Sequence, residues 1–277
     1  MRPHAKARRR SRVRVIASAS AVALVAGLGV VAAAAGPAQA AEGPIAYTFS
    51  GGKLHVAGVP YGTFSGHFVF DASACPAGEC PGAYSSVNIT TSATAPFVAK
   101  AYTTSDVGPT STKTDFGVVN GVGPADYFYF PFGPGVLGTT GTHNVPAGDH
   151  PGIEYQPANG IRAVSAGTIV GTHPKVTVSS RKSKKISRRA KTTVVTRAGV
   201  DPSWTGSLRS VTAKCSLKRS PLKSSKLCKV TTNRSTGKVT VKPKGYRGTK
   251  VKVTIKTKAL VPSVYRAQTW KKTWTVQ

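Results

Sequence analysis

The chain has 277 residues, 40% of them hydrophobic, and carries 39 Lys+Arg against 9 Asp+Glu, a net charge of +30. Charged residues make up only 17%, which excludes a polyelectrolyte tail. With 29 Gly and 19 Pro, many alternating Val/Thr segments and no long run of helix formers after residue 40, the composition favours β-sandwiches or barrels, and the length favours two domains.

The first segment reads as a targeting sequence. MRPHAKARRRSRVR carries seven Lys+Arg and no acid, and the apolar VIASASAVALVAGLGVVAAAAG follows it. Ala38-Gln39-Ala40 fits the small-x-small pattern of a cleavage site, so residues 1–40 are read as a signal peptide and the mature chain is expected to begin near Ala41. An uncleaved anchor is the alternative, because the apolar run is about long enough to span a bilayer. Export makes the four cysteines legible. Cys75 and Cys80 in CPAGEC, and Cys215 and Cys228 in CSLKRSPLKSSKLC, are expected to form two local disulfides in an oxidising compartment. Neither spacing, with no histidine nearby, suits zinc, so no metal is assigned to them.

Charge divides the remainder. Residues 41–172 hold four bases and eight acids, whereas residues 173–277 hold 28 bases and one acid, Asp201. The shift marks a boundary near GTHPKV between a first domain, 41–172, and a second, 173–277. In the first domain IAYTFSGG, TFSGHFVFDA, AYSSVNITTS, FVAKAYTTS, KTDFGVVN, DYFYFPF and IRAVSAGTIVG read as strands bounded by Gly, Pro, Asp or Asn. Phe64, Gly66, Phe68 and Phe70 share one face of the second strand; Ser65, His67 and Val69 share the other. DYFYFPF sets Tyr127 and Tyr129 opposite Phe128 and Phe130. It is expected to be a central strand buried on both sides, with a sugar-stacking surface as the functional alternative.

The succession YTFSG, GTFSGHFVFD, YSSVNITTS and IRAVSAGTIVG resembles exported bacterial β-rich proteins of the PEP-CTERM-associated kind. Such proteins often carry a sorting tail, which is not found here. The resemblance spans roughly residues 45–172. It implies a secreted β domain and transfers no catalytic residues.

The second domain reads as seven strands: KVTVSS, KTTVVTR, SVTAKCS, LCKVTT, KVTVKP, KVKVTIKTKA and TWKKTWTV. Their number and spacing fit an immunoglobulin-like sandwich and resemble the Ig-like modules of actinobacterial exported proteins. Cys215 and Cys228 fall on consecutive strands, so an edge staple is expected rather than the cross-core bridge of antibody domains. Trp270 and Trp274 are expected to close the core, with a bulge turning Lys272 outward; an aromatic-cationic strip is the alternative.

Alternate residues of a strand face one way. Val251, Val253, Ile255, Thr257 and Ala259 should therefore face the core. Lys250, Lys252, Thr254, Lys256 and Lys258 should face out, with neighbouring lysines about 6.6 Å apart, inside a screening length of about 8 Å. Lys238 and Lys242 should project likewise from KVTVKP, and the two strands would make one patch if they paired. RKSKKISRRAK adds Arg181, Lys182, Lys184, Lys185, Arg188 and Arg189. Exposed lysines discourage edge aggregation, but that role does not account for the near absence of acids. An anionic partner would relieve the self-repulsion. An anionic cell-envelope polymer or acidic lipid surface is expected, with no sequence-specific nucleic acid, because no base-reading motif occurs.

No catalytic motif holds. GxSxG and HExxH are missing, and the SxxK occurrences at Ser179, Ser220 and Ser235 lack their companion motifs. His143, Asp149, His150 and Glu154 in THNVPAGDHPGIEY are of metal-binding types but sit in a Pro/Gly stretch without ligand spacing. Neither a catalytic residue nor a cofactor is assigned. The expectation is an all-β, two-sandwich, secreted, non-enzymatic envelope protein. The alternatives are a hydrolase or metal-dependent enzyme in the first domain, or a freely secreted protein without a polyanion ligand.

Overall fold

Aromatic residues at every second position draw the first half of the chain into a curled sheet. The computed structural model describes residues 43–121, 125–145, 151–261 and 264–277; the signal segment, Asp149 and His150 lie outside them. Within them are strands β1 (Ile45–Val56), β2 (Val59–Phe70), β3 (Tyr84–Thr91), β4 (Lys100–Thr103), β5 (Asp115–Asn120), β6 (Asp126–Pro131), β7 (Gly141–Asn144), β8 (Ile153–Gln156) and β9 (Gly160–Thr172). They form one sheet in the order β4-β3-β2-β1-β9-β8-β6-β5, and β7 pairs with β9 beside β8. All the pairings are antiparallel. The sheet nearly closes. Past the end of β4, Val107 bridges to Val118 and the Gly108 amide donates to Gly117 O at 2.8 Å, while Asn120 Nδ2 donates to Ala101 O at 3.3 Å. Both layers of this half therefore belong to one continuous sheet folded over on itself, a solution equivalent to a closed sandwich.

The interior is packed with rings. Phe68 stacks on Phe116 at 4.8 Å between centroids, Phe49 on Phe130 at 4.7 Å, and Tyr84 on Phe116 at 4.7 Å. Phe68, Phe70, Phe116, Phe128 and Phe130 are fully buried. Gly66 is required where β2 meets β3: its φ is +148°, and an added Cβ would stand 2.2 Å from Asn88 O. The predicted alternation of β2 is realised, with its phenylalanines turned inward and His67 and Val69 outward.

A buried ion pair sits among these rings. Glu154 and Arg162 face each other across β8 and β9 and are wholly inaccessible. Arg162 Nε donates to Glu154 Oε2 at 2.7 Å, and Nη2 lies against the same oxygen. Nη1 donates to Tyr61 O at 2.7 Å and Ser92 O at 2.9 Å, and the guanidinium covers the Phe97 ring at 4.7 Å. Glu154 Oε1 accepts from Thr91 Oγ1 at 2.8 Å and Gln156 Nε2 at 2.9 Å. The carboxylate thus ties β3, β8 and β9 together. The sequence places Glu154 in a loop with metal-binding types; in the fold it is a strand residue whose partner is Arg162.

The second half is a two-layer sandwich. One sheet has the order β10-β12-β15-β14, from β10 (Lys175–Ser180), β12 (Thr192–Asp201), β15 (Val239–Pro243) and β14 (Cys228–Thr232). The other has the order β11-β17-β16-β13, from β11 (Lys185–Ile186), β17 (Thr269–Val276), β16 (Lys250–Thr257) and β13 (Leu208–Ser216). All seven expected strands form. The addition is β11, which pairs in parallel with β17 and buries Ile186. Val194, Val195, Val239 and Val241 of one sheet meet Val251, Val253, Ile255, Trp274 and Val276 of the other.

The described residues belong to one compact unit, and a small apolar cluster joins its halves. Ala46 and Val69, on the outer face of β1 and β2, are covered by Val261, Trp204, Val264 and Tyr265. The Trp204 indole stacks on His67 at 3.9 Å between centroids and 12° between planes, and its Nε1 donates to Thr48 Oγ1 at 2.9 Å. Tyr265 donates its hydroxyl to Pro44 O.

The ion pair yields a stability test. Arg162→Met strands a carboxylate without its counter-charge and should cost about 3–5 kcal/mol, whereas the joint change Glu154→Leu with Arg162→Met should recover most of that loss. Urea unfolding midpoints of the two variants check both statements.

Candidate functional site

Lysine placement follows from strand parity. Along β16, Val251, Val253, Ile255 and Thr257 are buried, whereas Lys250, Lys252 and Lys256 are exposed and Thr254 is intermediate. Lys258 is exposed just past the strand. Ala259 departs from the expected core face: β16 stops at Thr257 and Ala259 is exposed. Lys238, just before β15, and Lys242 on it are exposed, and Val239 and Val241 are buried.

The single patch foreseen if KVTVKP and KVKVTIKTKA paired does not form. β15 hydrogen-bonds to β12 and β14, and β16 to β13 and β17, so the two strands lie in opposite sheets. Lys238 and Lys242 therefore project from one outer face of the sandwich, and Lys250, Lys252 and Lys256 from the other. Two bases not singled out in the sequence join the latter face. Lys214 stands opposite Lys252, and Lys271 opposite Thr254, and both are exposed. The parity of SVTAKCS and TWKKTWTV carries that signal once the pairing is known. Between β10 and β12, Arg181, Lys182, Lys184, Lys185, Arg188 and Arg189 are all exposed around the buried Ile186.

Among the described residues, none of the 28 lysines and arginines of residues 173–277 has a carboxylate within ion-pair distance. The two ion pairs among the described residues, Lys100–Asp126 and Arg162–Glu154, both lie in the first half. From within, the basic surface is opposed only by Asp201, across the strands from Lys175.

Trp274 is fully buried and Trp270 packs against the same core, as expected. The bulge expected to turn Lys272 outward is absent: β16 and β17 pair without a register shift, and Lys272 faces Val253 on the core side. Its stem crosses the sandwich margin, and Nζ donates to Ser180 Oγ at 2.9 Å and Arg181 O at 3.0 Å, 5.4 Å from the Trp274 ring centroid. A long side chain can leave its ammonium at the rim while its methylenes stay in the core.

The strand DYFYFPF is not buried on both sides. Phe128 and Phe130 fill the interior, but Tyr127 and Tyr129 are only half-buried on the outer face. There Tyr127 lies between Val119 and Tyr155 in register, and Val119 and Ile161 are 40% and 50% exposed. A shallow groove of about 290 Å³ runs over Gly117, Tyr127, Tyr129 and Ile153. Tyr129 donates to Asp115 Oδ1 at 2.5 Å. Burial pushes the Asp115 carboxyl up, but the hydroxyls of Tyr129, Thr114 and Thr112 outweigh it and hold it below its usual range. Burial and that carboxylate push Tyr129 up to about 12.

The remaining polar candidates are dispersed. His143 lies on β7, its Nε2 3.2 Å from Thr139 Oγ1, and Glu154 is held by Arg162. Among the described residues no three His, Cys, Asp or Glu side chains stand together as a metal site. Both expected disulfides form. Cys75–Cys80 closes its tight loop, with Cα atoms 5.2 Å apart. Cys215–Cys228, with Cα atoms 6.3 Å apart, staples β13 to β14 at one edge of the sandwich, joining the two sheets. Two disulfides and no free cysteine fit an oxidising, extracellular compartment. Among the described residues no helix is long and apolar enough to cross a membrane. Compared with known protein families, with characterised proteins and with solved structures, the chain matches none.

One titration follows from the contact between the halves. Burial against Trp204 lowers the His67 pKa below its ordinary value of 6.5. The folded state therefore takes up this proton less readily than the unfolded chain, and stability present above about pH 6.5 is lost as pH falls through the folded value. The drop in Tm between pH 7.5 and pH 5 should be smaller for His67→Phe than for the unaltered chain, as differential scanning calorimetry would show.

Proposed function

We propose that the protein is a secreted, non-enzymatic binding or structural protein of the cell envelope. Its basic second domain holds it to anionic wall or membrane polymers, and its near-neutral first domain faces outward. The observation that carries this reading is that, among the described residues, no carboxylate comes within ion-pair distance of the 28 bases of the second domain, whose single acid, Asp201, stands opposite Lys175 across β10 and β12. An ordinary soluble surface intersperses both signs. Here repulsion is left to be offset by an external polyanion, whose binding releases counterions as it does on nucleic acid.

The second domain is read as immunoglobulin-like. With its strands lettered in order, β10, β12, β15 and β14 take the positions A, B, E and D, and β13, β16 and β17 the positions C, F and G, the constant-type arrangement. The short β11 is an addition beside the last strand. Residues 1–40 supply the export signal in this reading, and the disulfides agree with the destination.

The proposal is tested on the chain from residue 41 onward. It should be retained on isolated cell-wall polyanion and released by moderate salt. Changing Lys250, Lys252, Lys256 and Lys258 together to Gln should lower the slope of log affinity against log salt by about 3, at roughly 0.7 per lost contact as on single-stranded nucleic acid. The melting temperature should change little, because all four ammonium groups are exposed. Retention independent of salt would overturn the electrostatic reading.

A further inference from the structure

Two pairs of lysines oppose each other directly across strands. Lys214 of β13 faces Lys252 of β16, and Lys229 of β14 faces Lys242 of β15. All four are exposed. Residues directly opposite in an antiparallel ladder have Cβ atoms about 4.5–5.5 Å apart, and like charges there repel. The two pairs belong to opposite sheets, yet both flank the same margin of the sandwich, because β13 and β14 are the edge strands that Cys215–Cys228 joins.

Between them lies a cleft of about 750 Å³. Lys214, Lys223, Lys229 and Lys244 line it with Ser224 and Ser225, and no acid does. Ser224 Oγ accepts from the Cys215 amide at 2.8 Å, which leaves its O–H proton to donate. The cleft therefore offers an anion ammonium groups and serine hydroxyl donors. It contains no arginine, whose planar fork makes bidentate contacts to carboxylate and phosphate alike; its lysines act as point charges, and a phosphodiester chain presents one such opposite charge per repeat.

We propose that this stapled edge is the seat of a linear phosphodiester polymer, which enters beside Lys214 and Lys252, passes through the cleft and leaves beside Lys229 and Lys242. The inference rests on the polyanion reading above and gives it a place and a ligand class. A flat bilayer meets one face of a sandwich. Lysines on both outer faces, joined through a concave margin, suit a flexible chain that bends around the edge.

The experiment uses the chain from residue 41 onward, with soluble poly(glycerol phosphate) as the probe and vesicles containing phosphatidylglycerol as the comparison. The variant Lys214→Gln with Lys229→Gln should lose at least tenfold in affinity for the polymer at physiological salt. A control with the same charge change on the same domain, Arg247→Gln with Arg266→Gln, should lose less than threefold. Circular dichroism and Tm establish that both variants are folded, and if the glutamine pair perturbs folding, the single changes Lys214→Gln and Lys229→Gln replace it, each expected to lose about threefold. Equal losses in the two glutamine variants would overturn the seat while leaving general polyanion binding intact. Failure of the unaltered chain to bind any polyanion would overturn both. Tighter binding to vesicles than to the polymer, with no response to Lys214 and Lys229, would overturn the linear ligand.

Discussion

The two-residue period of the strand is the constraint on which the second half of the chain depends. It lets a chain with 28 bases and one acid in 105 positions fold at all, because every β16 valine that enters the core sends its neighbouring lysine to water. The magnitudes favour the fold. Burying a valine or isoleucine side chain contributes about 1.5–3 kcal/mol. Cross-strand pair terms are of the order of 0.2–1 kcal/mol, and salt weakens them further over about 8 Å. Repulsion on the outer faces is therefore affordable to the fold, and it remains available to be relieved by a ligand.

The first domain uses the same period with different contents. Its inner positions are mostly rings, whose stacked and edge-on contacts fill a curled sheet without a second sheet to pack on. The Glu154–Arg162 pair within that interior is held by Thr91, Gln156 and two backbone carbonyls, leaving Arg162 Nη2 only its ion contact with Glu154. Such a pair contributes little net stability against a hydrocarbon replacement, but every alternative register would leave its charges unmatched.

Local alternation was the legible part of this sequence. It identified all seven strands of the second domain, the outward set of β16, and the inward phenylalanines of β2. Partner choice was not legible, because it is decided by contacts far along the chain. Nothing within KVTVKP or KVKVTIKTKA says that these segments belong to opposite sheets. β7 and β8 escaped notice because a four-residue strand shows only two residues per face, and these are flanked by Gly and Pro. Glu154 acquires its meaning only from Arg162, eight positions away on the neighbouring strand. The tyrosines of β6 looked like core residues because an aromatic side chain is equally at home inside or at a half-covered face. Even the disulfide, local in sequence, turned out to span two layers.

Only His173 and Pro174 separate the end of β9 from the start of β10, and the Trp204 and Tyr265 contacts lie alongside that junction. Such a connection has no slack. Were the second half held to a polyanion as proposed, a pull on it would reach the curled sheet through the backbone of β9, its longest strand, with β1 hydrogen-bonded along one flank. The load would then be shared as shear across many hydrogen bonds instead of peeling them singly.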